Sequence, residues 1–256
     1  MVALSFVVFV FVVADKFDNS GGDGPPAAGV TTSTPATGTH PAGATTATTA
    51  DAAKTAAAAT SSPGADGDTT PLVACGDILA PLDKQHRLAS DCAPNDLVAL
   101  PASISKGGQQ LMRSEAAGAL EELFAAANKD GYQLFAESSY RSYQQQVAAF
   151  ASNVAAGGLE YAERTSARAG HSEHQLGTTT DVASPTASFE QLEGTAEAAW
   201  IANNSWKYGF IVSYPTPESE AITGYAWEPW HIRWVGKDVA AKVHNSGKTL
   251  HEYLPQ

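Results

Sequence analysis

His174, Asp181 and His231 supply two imidazoles and one carboxylate, the donor types of a three-ligand zinc centre whose fourth position is left to water. Glu228 stands three residues before His231 in Glu228-Pro229-Trp230-His231. An acid directed at the same centre could take a proton from zinc-bound water, whose pKa the metal lowers to about 7. After attack on a carbonyl it would pass that proton to the leaving amine. In a regular strand, positions 228 and 231 face opposite sides, so this reading requires a bulge near Pro229. The spacing is not the helical H-E-x-x-H signature. His171-x-x-His174 also has the look of a ligand pair, so a set of His171, His174 and His231 stays open, although a structural role for His171 is preferred. His86, His244 and His251 read as surface or structural groups, and His40 lies in a low-complexity tract.

These residues need elements to hold them. Residues 109–128 carry apolar side chains at helical spacing and stop at Gly131. Residues 132–136 read as a strand. Ser142 can cap a second helix with Gln145 three residues on, whose apolar face would be Val147, Phe150 and Val154. The polar segment 168–184 ends in strand-like alternation. A helix over 195–207, strands over 209–214 and 225–236, and a helix over 237–254 complete the pattern. Helices and strands mix without a βαβ repeat, which predicts an α+β fold: one compact domain with a small antiparallel sheet carrying the centre, flanked by helices.

The chain of 256 residues divides by composition. Residues 2–14 form an apolar run too short for an ordinary membrane span of about 20 residues. It suits the core of an export signal lacking its positive leader, so residues 1–17 are expected to be an export signal or a truncated membrane anchor, with membrane attachment through 1–14. Residues 18–70 are nearly all Ala, Thr, Gly, Ser, Pro and Asp and have no aromatic residue; they read as a disordered linker. Residues 71–256 remain for the folded domain. Of the net charge of -12, the linker contributes -4 and the domain -8. An acidic domain without a basic run argues against nucleic acid as a partner. Cys75 and Cys92 are the two cysteines. A bridge between them would contribute about 3 kcal/mol and suits an exported chain, an extracytoplasmic location being expected.

Three ordered motifs carry a resemblance: Ser172, His174 and Asp181 in an S-x-H-x(6)-D pattern; Glu228 to Arg233 in E-P-W-H-x-R; and Tyr140 to Gln146 in Y-R-S-Y-x-x-Q. Residues 83–236 resemble the zinc D-alanyl-D-alanine carboxypeptidases of the vancomycin-resistance and L,D-carboxypeptidase type, within the wider lysostaphin, D-Ala-D-Ala metallopeptidase and hedgehog group. The resemblance implies that His174, Asp181 and His231 bind zinc, that Glu228 is the catalytic base and that His171 is not a ligand. It further implies removal of a C-terminal D-alanine from peptidoglycan stem peptides, with Arg141 pairing the terminal carboxylate through two parallel hydrogen bonds. Ser172 and Gln146 would also contact the peptide, and the chain would act as a monomer. Three threonines, Thr178 to Thr180, stand where such enzymes usually carry small apolar residues, so altered packing is expected there. Arg233 would orient its motif or pair with a buried acid. Two other readings remain: a D,D- or L,D-endopeptidase, and a cell-wall-binding module with a structural zinc. A structural zinc needs no base, so Glu228 favours an enzyme.

Overall fold

The computed structural model describes residues 67–254; the expected export segment (1–17) and nearly all of the expected linker (18–70) lie outside them. Two short antiparallel strands, β1 (Leu97–Ala99) and β2 (Leu111–Arg113), lead into helix α1 (Ser114–Lys129). The expected helix over 109–128 therefore starts late, because residues 111–113 pair with β1 before the chain turns helical.

A four-stranded antiparallel sheet forms the centre, in the order β3 (Phe135–Ser138), β4 (Thr179–Ala183), β6 (Glu228–Trp234), β5 (Phe210–Tyr214). One face packs on α1 and on α3 (Ala196–Asn204) around Leu120, Leu123, Ile201, Phe210, Trp230 and Ile232, all buried. The other face, through Ile211, meets α5 (Lys237–Ser246) and α6 (Leu250–Tyr253). A four-residue helix α4 (Glu220–Thr223) precedes β6. This is the α+β architecture with a small antiparallel sheet that the sequence predicts.

Helix α2 (Tyr143–Thr165) starts as the sequence predicts. Ser142 accepts from Gln145 N while Gln145 Oε1 accepts from Ser142 N. Its expected apolar face is not core: Val147 is half exposed, and Gln146 and Ala162 are the buried residues of the helix. The last expected helix is two, since Gly247 in the left-handed region (φ 67°) ends α5 and a Thr249–Glu252 capping box restarts the chain as α6.

Cys75 and Cys92 form a disulfide, beside a small cluster of Ala80, Leu82, Leu88 and Leu176. Packed contacts begin at Asp68, which pairs with Arg87 and His171, slightly before the expected domain start at 71. No helix among the described residues is long and apolar enough to cross a membrane.

Candidate metal centre

His174 sits on a 3-10 turn (Glu173–Leu176) that Gly177 closes in the left-handed region (φ 71°). A side chain there would run into Leu97 Cδ2 at 2.9 Å, so glycine lets the turn lie against β1. The chain then enters β4, where Asp181 is paired directly with His231 of β6. Glu228 comes within reach because β6 is irregular. Val212 faces Ile232 but Tyr214 faces Glu228, so two β5 steps span four on β6. The bulge that the motif requires near Pro229 is thus present, and Glu228 Oε2 lies 3.4 Å from His231 Nδ1.

One ligand atom from each of His174, Asp181 and His231 lies within 4.8 Å of the others, and all three residues are buried. His174 Nε2 is 3.4 Å from Asp181 Oδ2, and His231 Nδ1 is 3.3 Å from Asp181 Oδ1. Bonds of about 2.05 Å at a tetrahedral zinc put neighbouring donors about 3.3 Å apart, and each imidazole nitrogen stands at about that distance from one of the two Asp181 oxygens. Asp181 Oδ1 is buried and makes no hydrogen bond within the protein, as expected of an atom meant for a cation.

Each imidazole is held from behind. His174 Nδ1 donates to Ser139 O at 2.7 Å, leaving Nε2 for the centre. His231 Nε2 donates to Glu173 Oε2 at 2.9 Å, leaving Nδ1. Burial, with Arg141 nearby, lowers the His174 pKa to about 3, so that ring is neutral. Burial would also depress His231, but the Asp181 and Glu173 carboxylates on its two sides raise it to about 10. Burial alone would raise the Asp181 carboxyl; His174, His231 and Arg141 hold it at about 2. Burial raises Glu228 to about 8, against the pull of His231. A dication among the donors would draw that carboxyl back down, toward the range of a general base.

Arg141 faces the same place, its Nη2 3.9 Å from Asp181 Oδ2 and its buried Nε without a hydrogen-bond partner. Its backbone N–H donates to His174 O, which ties the start of α2 to the ligand turn. Gln146 spends its amide N–H groups on Ser166 Oγ and Ala167 O, bracing the far end of α2, and its Oε1 is buried without a partner. Ser172 is buried at the start of the ligand turn, and its carbonyl accepts from Gln175 N. Both ring nitrogens of His171 are engaged elsewhere, with Asp83 O at 2.7 Å and Asp68 Oδ2 at 2.9 Å. Trp230 is core, and Arg233 does pair with a buried acid, Glu173, at 2.8 Å.

An antiparallel sheet and the turn leading into it, which together bring two imidazoles, a carboxylate and a further buried acid to one point, make the arrangement of a metallopeptidase. The model of the VanY D-alanyl-D-alanine carboxypeptidase family matches residues 109–237, half of the chain. The chain belongs to that family. YodJ of Bacillus subtilis is 42% identical over 183 residues, covering 69% of this chain and 67% of its own. A D-alanyl-D-alanine carboxypeptidase of Enterococcus faecium is 38% identical over 56% of this chain, and the match spans 44% of that protein, less than half its length. Among solved structures, the LD-carboxypeptidase LdcB is 38% identical with a TM-score of 0.66, covering 73% of this chain and 90% of its own. The vancomycin-resistance D,D-pentapeptidase VanY, solved as a mutant with Zn(II), is 30% identical with a TM-score of 0.59, covering 69% and 98%.

Proposed function

We propose that the chain is a zinc-dependent carboxypeptidase that removes C-terminal D-alanine from peptidoglycan stem peptides. The observation that carries this reading is the convergence of His174 Nε2, Asp181 and His231 Nδ1 at zinc spacing with Glu228 beside them. Zinc in that position supplies a Lewis acid that polarises the scissile carbonyl and acidifies water. Glu228 accepts the proton of the attacking water and delivers it to the departing D-alanine nitrogen. Arg141, with its free Nε and a guanidinium edge beside Asp181, receives the terminal carboxylate and so places the last peptide bond over Glu228. The Zn(II) complex of VanY supports the metal, and the D-Ala-D-Ala complex of VanYB, 30% identical, supports the substrate class.

The domain begins close to Asp68, with the linker and export segment before it, and the enzyme works outside the cytoplasm, as its disulfide favours. Both L,D- and D,D-acting enzymes stand among the neighbours, with LdcB at the greater identity. Mass spectrometry of defined tetra- and pentapeptide stems after incubation tests the reading. Loss of D-alanine from the tetrapeptide identifies L,D activity, loss from the pentapeptide alone D,D activity, and cleavage of neither overturns the assignment.

A further inference from the structure

Glu173 is a buried acid, 5% exposed, that immediately precedes a zinc donor in sequence yet turns its carboxylate away from the donor cluster. Its two oxygens accept three hydrogen bonds. Oε2 takes His231 Nε2–H at 2.9 Å and Ser213 Oγ–H at 2.6 Å; Oε1 takes Arg233 Nη1–H at 2.8 Å. Arg233 is fully buried, and its Nη2 donates to the carbonyls of Ile78 and Ala80, both at 2.8 Å. His231 and Arg233 are two apart on β6, so they share one face of the strand, and Ser213 comes from neighbouring β5. Three side chains from two neighbouring strands thus converge on one carboxylate whose contact with the donor set is His231.

We propose that Glu173 is the positioning residue that selects the metal-binding nitrogen of His231. The proposal rests on the reading of His231 as a zinc donor. An imidazole has two nitrogens, and a ring that donates through one presents the lone pair of the other. Glu173 is an acceptor at Nε2, so the proton stays there and Nδ1 faces Asp181 and Glu228. Arg233 keeps the carboxylate charged despite its burial, since a buried acid without a cationic partner takes up a proton and becomes a donor. An ion pair serving the fold alone would be complete with Arg233 and Ser213. The third bond, to His231, makes this carboxylate part of the metal centre.

The amide of Glu173→Gln separates these roles. Glutamine has one oxygen where glutamate has two, and Arg233 can only donate, whereas the Ser213 hydroxyl can turn to accept from an amide. With that oxygen facing Arg233, the amide N–H₂ meets His231 Nε2 and requires it to accept. The ring proton then moves to Nδ1, onto the zinc-facing atom. The experiment measures zinc affinity of the full chain by competition with a chelator, and the ¹⁵N shifts of the zinc-loaded His231 ring. In the wild type, Nε2 is expected to carry the proton and Nδ1 the metal. Glu173→Gln is expected to bind zinc 10- to 100-fold more weakly. Zinc binding by Glu173→Gln within twofold of wild type would overturn the proposal while leaving the donor set standing. If the variant does not fold, the wild-type spectrum decides alone: Nε2 metallated, or Nδ1 protonated, overturns it. A wild-type chain that takes no zinc overturns the donor set and this proposal together.

Discussion

Zinc binding should be steeply pH-dependent across the neutral range, and the slope can be worked from the centre itself. Without metal, His231 lies between the Asp181 and Glu173 carboxylates, which raise its pKa to about 10 despite burial. Below that value Nδ1 carries a proton, and zinc must displace it. At pH 7 the ring sits about three units below its pKa, so at 1.36 kcal/mol per unit the displacement costs about 4 kcal/mol, a thousandfold in affinity. Each rise of one pH unit should therefore tighten binding about tenfold, giving about a hundredfold from pH 6 to pH 8. Glu228, raised to about 8, starts protonated at pH 7 and adds up to a second proton where the cation drives it off. His174, at about 3, and Asp181, at about 2, are already deprotonated in this range and add nothing. Chelator competition at several pH values gives the slope, and calorimetry in buffers of different ionisation heat gives the protons released. An affinity that is flat from pH 6 to pH 8, or that falls as pH rises, would refute the reasoning.

Glu228→Gln should keep zinc and lose turnover by several powers of ten, since proton acceptor and proton carrier vanish together; near-normal turnover of a zinc-loaded variant means the base lies elsewhere. Arg141→Ala should impair peptides with a free terminal carboxylate far more than amidated ones, and equal loss on both would make Arg141 a structural residue. Replacing Cys75 and Cys92 by serine opens a loop of sequence separation 17, which the chain-entropy relation puts at about 3 kcal/mol of stability. Denaturant unfolding, with slope and midpoint fitted for each protein because the opened chain is less compact when unfolded, should record that loss, and no change in unfolding free energy would remove the bridge from the stability of the domain.

What could be read from the sequence follows how local each signal is. The proposed zinc donors and Glu228 stand out because their residue types are unusual and closely grouped, and the bulge near Pro229 follows from asking two residues three apart to face one point. The Ser142 cap is legible for the same reason, as a three-residue relation. The break at Gly247 and Thr249–Glu252 is equally local, but the unbroken helical pattern over 237–254 outweighs it in the sequence. The face of α2 misled because its periodicity marks apolar residues without saying that a partner covers them, and Val147 is half exposed. Glu173 could not be weighed at all from its neighbours. Its partners Ser213 and Arg233 lie 40 and 60 residues away and meet it only when β5 and β6 stand side by side. The available hint was a pairing of motifs: an acid beside His174 and a base two residues beyond His231.

The two imidazoles of the centre are anchored by different chemistry, and that difference sets how the site takes up metal. His174 leans on a neutral carbonyl, Ser139 O, and Ser139 is in turn tied through its hydroxyl to Thr180 Oγ1 at 2.8 Å. Thr180 therefore does more than alter packing: it braces the support of one proposed zinc donor from the residue next to another. Thr178 and Thr179 bury hydroxyl oxygens without hydrogen bonds, and nothing in the structure explains them. His231 leans instead on an anion: Asp181 and Glu173 together raise its proton affinity, while burial and Arg141 depress that of His174. A cation entering the site meets one ring already free and one that must be unloaded. Two carbonyl-backed rings would bind zinc with little dependence on pH. Two carboxylate-backed rings would each bring a proton to displace, doubling the histidine share of the pH slope. With one of each, that share is a single proton, and the arrangement of second partners around His231 governs where it goes.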